Sequence, residues 1–138
     1  MVLPKQALAL FKKRALASQD EILAFLVGSV TRENDRITKI TVTDLRYPKI
    51  EGAGGDYVTW DVNDMIRIQV EVQPYQILGT IHSHPNDEPH ISKADIETAE
   101  KYGELVSGIF SYWKAGNRRK TSLDLYYGLK LLTYKILG

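Results

Sequence analysis

The hydrophobic positions in the first third of the chain change from helical to strand spacing. Apolar residues recur at helical spacing from Pro4, which suits a first helical turn, to Ser18. The segment from Glu21 to Gly28 is an almost unbroken apolar run, which is typical of a strand covered on both faces. Alternation over Arg36 to Arg46, after an Asn-Asp turn, predicts a second strand in a hairpin with the first.

The middle of the chain combines a flexible segment with an alternating one. Residues Tyr47 to Asp56 include the glycine-rich stretch Gly52 to Gly55, which predicts a functional or variable loop. From Met65 onward apolar and polar residues alternate until Pro74, so this pattern predicts a strand over residues 65–73.

The second half predicts a strand, a helix and then a hairpin. Ile77 to Ser83 has the composition of a short buried strand, and Lys93 to Tyr102 has helical spacing with Gly103 as its end. Leu105 to Trp113 and Thr121 to Tyr127 are expected to be two strands that are joined by a turn at residues 115–117. The apolar tail, residues 129–137, shows no clear period.

Length and composition indicate one ordinary globular domain that covers residues 1–138. The chain has 138 residues, of which 43% are hydrophobic and 25% charged. The formal net charge is +1, so no overall field favours nucleic acid or an anionic membrane. Two short basic runs, residues 12–14 and 118–120, are expected to be a solvated helix face and a hairpin tip.

The absence of cysteine limits the chemistry that the chain can use. Without cysteine there is no disulfide and no thiolate ligand, so a metal site must use His, Asp or Glu. No apolar run approaches the length of a membrane span, and the N-terminal segment does not resemble a signal peptide. We therefore expect a soluble cytoplasmic protein without a membrane partner.

The residues with the clearest chemical meaning are His82, His84 and Asp95. Residues two apart in a strand point to the same face, so His82 and His84 can present two imidazoles together. Asp95 follows one loop later, near the start of the predicted helix. Two nitrogens and one oxygen suit Zn²⁺, and three protein ligands leave the fourth position for water, as in catalytic zinc sites.

Each part of this pattern also has an ordinary structural interpretation. A single His-x-His in a strand is usually a chance arrangement. Ser92 and Asp95 have the spacing of a helix capping box, an interpretation at least as good as ligation and partly compatible with it. We expect His90 to be a loop residue, because a fourth protein ligand would close the site.

A hydrolase also needs a group that accepts a proton from water. Glu21 opens a strongly apolar strand, where partial burial would raise its pKa and suit a general base. The alternative, that Glu21 simply marks an exposed strand end, remains open at this stage.

Together these residues resemble the JAMM motif of the MPN+ (JAB-type) zinc metalloproteases. The motif consists of His-Ser-His-Pro at residues 82–85, Ser92 and Asp95, with ten residues between His84 and Asp95, and an upstream Glu21 before an apolar strand that ends in Gly28. The resemblance extends from Glu21 to Gly103. The combination is specific, although its single parts are not.

The resemblance implies a fold and a role for each residue. The fold would be α+β, an α/β sandwich with a mixed, mostly antiparallel sheet flanked by helices, similar to cytidine deaminases. His82, His84 and Asp95 would bind one Zn²⁺ per chain. Glu21 would orient and deprotonate the attacking water, and Ser92 would stabilise the oxyanion.

The resemblance also implies a substrate. The family cleaves isopeptide or peptide bonds after the C-terminal glycine of ubiquitin or ubiquitin-like proteins. This chain resembles minimal archaeal or bacterial members, so we expect a ubiquitin-like modifier or sulfur-carrier protein with a Gly-Gly tail. A second copy of the chain, in a homodimer, is the other candidate partner. The strand Tyr57 to Trp60 is our candidate for the edge that holds the tail.

Two positions depart from the family pattern. Ile91 stands before Ser92, where the family usually has proline, and this affects the expected loop shape but not the ligands. The family tends to place a helix shortly before the His-x-His strand, whereas residues 65–73 alternate like a strand.

Three alternatives remain. A non-catalytic MPN scaffold would bind partners only, but such proteins typically lack ligands and this chain has every ligand position filled. A base deaminase needs H-x-E and P-C-x-x-C, which are absent. A DNA-associated relative of the fold is disfavoured by the near-neutral charge.

Overall fold

The computed structural model describes all 138 residues and contains ten strands and three helices. The helices are α1 (Lys5–Leu16), α2 (Val62–Glu71) and α3 (Lys93–Tyr102). The strands are β1 (Val2–Pro4), β2 (Leu23–Glu33), β3 (Arg36–Arg46), β4 (Ile50–Ala53), β5 (Val58–Trp60), β6 (Gln76–Pro85), β7 (Val106–Ala115), β8 (Arg118–Tyr127), β9 (Lys130–Leu131) and β10 (Lys135–Leu137).

Eight of the strands form one mixed sheet in the order β10-β1-β3-β2-β6-β7-β8-β9, and β4 pairs with β5 in a separate hairpin. In the large sheet β2 pairs antiparallel with both β3 and β6, and β8 pairs antiparallel with both β7 and β9. Strands β6 and β7 are parallel because α3 connects them in a crossover. The predicted α+β class, with a mixed and mostly antiparallel sheet, is confirmed.

Alternating side chains of β2 enter two hydrophobic clusters on opposite faces of the sheet. Ala24 and Leu26 belong to the larger cluster, which includes residues of α1. Leu23, Phe25 and Val27 belong to the smaller cluster, which includes residues of α2. This arrangement explains why the run after Glu21 is apolar at every position, and it confirms the prediction of a strand covered on both faces.

The segment predicted as a strand over residues 65–73 is helical, and that prediction was wrong. Asp61 caps α2 by accepting hydrogen bonds from two backbone amides, and an Arg67 side chain bridges acidic residues one turn before and after it. Met65, Ile68 and Val72 pack into the smaller cluster at helical spacing. The alternation came from Ile66 and Val70, which are 58% and 62% exposed and contribute nothing to the core.

The remaining predicted elements agree closely with the structure. The first helix begins one residue after Pro4, α3 covers the predicted residues 93–102 with Gly103 in the left-handed conformation at its end, and β7 and β8 form the predicted hairpin. The glycine-rich loop contains the short strand β4, and the apolar tail contains β9 and β10. None of the three helices combines the length and the apolar content needed to cross a membrane.

Gly79 allows β6 and β7 to approach each other just before the site. A Cβ atom at this position would lie 1.7 Å from the carbonyl oxygen of Val106, a distance that no side chain tolerates. The glycine therefore allows the close approach of β6 and β7, and β6 carries His82 and His84 a few residues later.

Candidate metal centre

The candidate centre lies where the carboxyl end of β6 meets the first turn of α3. His82 and His84 occupy the same face of β6, as their spacing predicted, and both are buried. Asp95 is the third residue of α3, and its backbone is fixed by the cap at Ser92. The crossover from β6 through α3 to β7 therefore brings the three predicted ligands to one crevice at the strand ends.

The ligand atoms of these three residues converge. The Nε2 atoms of His82 and His84 are 3.1 Å apart. His82 Nε2 lies 2.9 Å from Asp95 Oδ1, and His84 Nε2 lies 3.3 Å from Asp95 Oδ2. Zinc ligands at about 2.0–2.1 Å in a tetrahedron are separated by roughly 3.3 Å from one another. The spacing and the N₂O donor set therefore fit a Zn²⁺ ion.

The electrostatics of the pair His82 and Asp95 also favour a cation. Burial alone would raise the pKa of Asp95, but hydrogen bonds to the two histidines hold that pKa far below its usual range. Burial would lower the pKa of His82, yet the Asp95 carboxylate raises it above the ordinary value. Asp95 thus keeps its negative charge in a partly buried position, where a positive partner stabilises it.

Glu21 joins this cluster through the pairing of β2 with β6. The amide of Ile22 donates to Ser83 Oγ at 2.8 Å, and the amide of Ser83 donates to the carbonyl of Ile22 at 3.0 Å. These bonds extend the ladder beyond the start of β2, so the Glu21 carboxylate and the ligand atoms of His82 and His84 lie within 4.8 Å of one another. Glu21 is therefore close to the two histidines in space although it is distant from them in the sequence.

The environment of Glu21 suits a group that exchanges protons near neutral pH. Glu21 is only 7% exposed, and burial raises its pKa to about 7 against the partial opposition of His82. Its backbone amide donates to the carbonyl oxygen of Gly54 at 2.6 Å, which ties it to the glycine-rich loop. The alternative interpretation, that Glu21 marks an exposed strand end, is therefore ruled out.

Ser92 forms the predicted capping box. Its hydroxyl oxygen accepts a hydrogen bond from the amide of Asp95 at 3.1 Å, and the Asp95 carboxylate accepts one from the amide of Ser92 at 2.9 Å. Only acceptor capacity of the hydroxyl is used in this cap, so its proton remains available for donation. The cap also orients the carboxylate that contacts both histidines.

The sequence matches the family model described as prokaryotic homologs of the JAB domain over residues 4–125. The chain belongs to this family. The matched range contains the positions of Glu21, His82, His84, Ser92 and Asp95, and the resemblance inferred from the motif is confirmed at the level of the family.

Solved structures show the same fold for this JAB-domain protein. It is similar to protein DSY2949 from Desulfitobacterium hafniense, with a TM-score of 0.67, 16% identity, and coverage of 99% of this chain and 93% of the other. It is also similar to AF2198, a JAB1/MPN domain protein from Archaeoglobus fulgidus, with a TM-score of 0.62, 18% identity and complete coverage of both chains. No curated protein matches the sequence.

Two cavities of the JAB domain flank the cluster of His82, His84 and Asp95, and Glu21 and Asp56 border both of them. The first, which we name the β5-side cavity, has a volume of about 190 Å³ and extends from Glu21 and His82 to Glu104 along β5 and α3. The second, the loop-side cavity, has a volume of about 140 Å³, contains no hydrophobic residue and is lined by His84, Ser92 and the loop between β6 and α3. The cluster therefore lies in a cleft that is open in two directions.

His90 lies in the loop, as expected. Its side chain is half-exposed, and its Nδ1 lies 3.0 Å from the carbonyl oxygen of Glu88. Its ligand atoms, with those of His84 and Asp87, also lie within 4.8 Å of one another, so this face of the cleft is polar.

The sequence analysis missed several residues that line the cleft. Thr80 could have been found, because it lies two positions before His82 in β6 and therefore shares its face. The other missed residues carried no such signal. Asp56 lies in the loop before β5, whereas Glu104 and Ser107 lie around the start of β7, and the tertiary structure brings these two distant segments to the β5-side cavity. Trp60, the last residue of the candidate tail strand, is a core residue that is buried against Phe25 and Tyr102.

Proposed function

We propose that this JAB domain is a zinc-dependent peptidase or isopeptidase. It would act in the cytoplasm and cleave after the C-terminal glycine of a ubiquitin-like modifier or sulfur-carrier protein. The proposal is carried by one observation: two imidazole nitrogens and a carboxylate converge at ligand distances beside a buried carboxyl whose pKa burial raises to about 7.

The chemistry divides between a metal and the chain's own residues. Zn²⁺ held by His82, His84 and Asp95 would supply Lewis acidity, which lowers the pKa of a coordinating water and polarises the substrate carbonyl. Glu21 accepts a proton as the oxygen of water bonds to the carbonyl carbon. The carbon–nitrogen bond then breaks, and the departing amine receives that proton, which restores the Glu21 carboxylate and leaves a carboxylic acid that loses its own proton to solvent.

Ser92 has a position from which it can assist the same step. It borders the loop-side cavity beside Glu21 and His84, and the cap leaves its hydroxyl proton free. A donated hydrogen bond to the developing oxyanion would stabilise the transition state more than the ground state. The Ser92 hydroxyl would then cap the helix through a lone pair on its oxygen and assist catalysis through its proton.

Replacing Ser92 by Ala separates these two contributions. Loss of the cap should lower the free energy of unfolding by about 1 kcal/mol. Loss of the oxyanion donor should lower kcat by about 10²- to 10³-fold, which is the larger effect. Melting curves and kinetics on the same preparation measure both. A variant that melts lower but turns over like the wild type would restrict Ser92 to capping.

Strand β5 offers an edge on which an extended tail can be held. It has only β4 as a neighbour, and residues 57–60 line the β5-side cavity. The amide of Gly54 donates to the carbonyl of Tyr57, so alternation along the ladder directs the N–H of Val58 away from β4. A Gly-Gly tail added to this edge would run past the proposed zinc ligands.

The outer face of α2 supports a protein rather than a short peptide as the substrate. Val62, Ile66 and Val70 are exposed at four-residue spacing and form an apolar stripe on this helix. Strand β5 leads directly into α2, so the stripe lies next to the candidate tail edge in the chain. We propose that the folded body of the ubiquitin-like substrate packs on this stripe while its tail occupies β5.

Replacing Val58 by Pro tests the tail edge, because proline removes one backbone donor from it. KM for a ubiquitin-like fusion should rise about tenfold, as expected for a lost backbone hydrogen bond, while zinc content is unchanged. The matched control is Val58→Ala, which shortens the side chain but keeps the N–H and should leave KM close to that of the wild type. If both variants behave alike, the tail binds elsewhere.

The proposed peptidase activity is tested directly with a fusion in which a reporter peptide follows the Gly-Gly of a ubiquitin-like protein. The purified zinc-loaded protein should release the reporter after the second glycine, and removal of the metal with a chelator should stop the release. A protein that binds the fusion, carries zinc and never cleaves it would instead support the scaffold alternative.

A further inference from the structure

The two short basic runs of the sequence, one on α1 and one at the start of β8, come together beside the end of β7. Lys12 Nζ lies 5.9 Å from the centre of the Phe110 ring, and Arg119 Cζ lies 5.7 Å from the centre of the Tyr112 ring. These two rings are neighbours, with centres 6.4 Å apart. Two segments that are distant in sequence therefore place cations on the same face of the sheet.

Lys114 completes this group of three cations, which we name the basic face (Lys12, Lys114 and Arg119). Lys114 lies two positions after Tyr112 and therefore on the same side of β7, directly opposite Arg119 on β8. Like charges opposite each other on neighbouring strands destabilise a sheet. None of the three cations takes part in an ion pair, although the backbone of Asp87 is hydrogen-bonded to Tyr112. A bound anionic group would relieve this repulsion.

Two of these cations are ordered before any partner binds. Lys12 and Arg119 are attracted to the faces of the rings beneath them, and both rings are buried and fixed. The Tyr112 hydroxyl also donates to the carbonyl oxygen of Ser18, which holds the end of α1 against β7. Ordered side chains lose less conformational entropy on binding, so the basic face is suited to a partner.

Charge is the feature that the basic face offers to a partner. The Phe110 and Tyr112 rings are buried beneath it, so they are not free to stack on the bases of a single-stranded nucleic acid. None of the large hydrophobic side chains that are exposed lies within it, so it has no apolar group to insert into a membrane. These observations favour a short run of aspartate or glutamate in a protein, which needs only local positive charge.

The basic face lies just beyond the strand that carries the candidate ligands. Pro85, which follows His84 and ends β6, is level with Tyr112 on β7. Lys114 lies two positions further along β7, about 7 Å beyond the end of β6. Pro85 also borders the loop-side cavity, so this cavity opens at the strand end beyond which the basic face projects.

The two faces of the sheet offer separate surfaces to the two halves of a conjugate. The exposed apolar stripe is carried by α2, which packs into the smaller cluster, whereas the rings under the basic face belong to the larger cluster. A modifier on the stripe therefore leaves the basic face free. Because its tail would enter along β5, the chain on the other side of the cleaved bond would leave through the loop-side cavity.

We propose that the basic face binds an acidic segment of the protein to which the modifier is conjugated. This inference rests on the proposed function, because it assigns the partner from the direction in which the cleaved chain leaves. The basic face does not contact the reacting atoms. It therefore lowers KM for conjugates with aspartate or glutamate near the cleaved bond and leaves kcat the same.

Binding is tested first, without any cleavage. The probe is a fluorescent glutamate-rich peptide, and its anisotropy is followed as purified wild-type protein is added. A glutamine-rich peptide of equal length, a single-stranded oligonucleotide of equal charge and vesicles of phosphatidylcholine and phosphatidylserine are the comparisons. The glutamate-rich peptide should bind most tightly, and its affinity should fall as salt is added, because exposed charges are screened.

A matched pair of double variants locates the binding surface. Lys114→Gln with Arg119→Gln should weaken binding of the glutamate-rich peptide about five- to tenfold, as expected for two exposed charge pairs. Arg118→Gln with Lys120→Gln removes the same charge from the same hairpin, but these side chains alternate with Arg119 and point to the other face. This control should bind the peptide as the wild type does. All four residues are exposed, so both variants should fold normally.

The conjugate is tested with two Gly-Gly fusions whose reporters carry either a glutamate run or a glutamine run after the glycines. KM should be about five- to tenfold lower for the glutamate fusion, with equal kcat. Lys114→Gln with Arg119→Gln should remove this difference, and Arg118→Gln with Lys120→Gln should keep it.

The outcomes separate this inference from the proposed function. Cleavage of both fusions with the same KM would keep the peptidase and overturn the inference. Selective binding of the glutamate-rich peptide, with no cleavage of either fusion, would reject the peptidase and keep the basic face as a site for acidic protein segments. Tighter binding of the oligonucleotide or the vesicles, or equal weakening by the two double variants, would overturn the assignment of the surface.

Discussion

Replacing Glu21 by Gln should abolish hydrolysis while the protein retains its zinc. Glutamine has almost the same shape as glutamate but cannot accept the proton that the attacking water loses, so kcat/KM should fall by about 10³-fold or more. The change leaves the three proposed ligands His82, His84 and Asp95 untouched. Zinc analysis and single-turnover cleavage of a Gly-Gly fusion on the same sample measure the two expectations together.

The stability of this variant distinguishes lost chemistry from lost structure. Burial raises the pKa of Glu21 from 4.5 to about 7, so the wild-type fold is stabilised by protonation of Glu21 below pH 4.5 and loses that contribution as the pH rises through 7. The shift corresponds to about 3 kcal/mol in the metal-free protein.

Metal-free Glu21→Gln should therefore unfold at higher denaturant concentration than the wild type at pH 8, and at a similar concentration at pH 4. Near wild-type turnover in the zinc-loaded variant would mean that another carboxylate is the base. A variant that is both inactive and unstable at pH 8 would leave Glu21 with a structural role only.

Removal of a ligand should have the other large effect. We expect the purified protein to carry about one Zn²⁺ per chain, and His82→Ala or Asp95→Ala should lose most of it. The reason is geometric: each ligand contacts the other two within 3.3 Å, so the loss of one leaves a site with only two protein ligands. Cleavage should fall with the bound zinc.

His90→Ala provides the control for ligand removal. This substitution also deletes an imidazole close to the cluster, but from an exposed loop position that lies outside the three-ligand set. Elemental analysis should find the wild-type amount of zinc in this variant. Full zinc occupancy in the double variant His82→Ala, His84→Ala would end the assignment of this centre.

A large part of the fold was predictable because several segments carry their own local signal. The bounds of α3 follow from Ser92 at its start and Gly103 at its end, and both signals act within a single helical turn. The coverage of β2 on both faces follows from its unbroken apolar run. The placement of His82 and His84 on one face follows from the two-residue period of a strand.

Local signals failed where two periods fit the same residues. Residues 65–73 alternate like a strand, but the helical set Met65, Ile68 and Val72 faces the smaller cluster and the Asp61 cap starts the helix. Which apolar residues are buried depends on where a core is available, and that is decided by the elements packed around the segment. The exposed residues Ile66 and Val70 were indistinguishable from core residues in the sequence.

The candidate ligands His82, His84 and Asp95 can be identified from the chain alone, because a strand period and a helix cap, which act over a few residues, place them. The residues that surround these ligands depend on the tertiary structure. Glu21 reaches the cluster through the pairing of β2 with β6, and Glu104 and Asp56 reach the cavity from two separate loops. Contacts between segments distant in sequence depend on the register and packing of the whole sheet, and no local period encodes them.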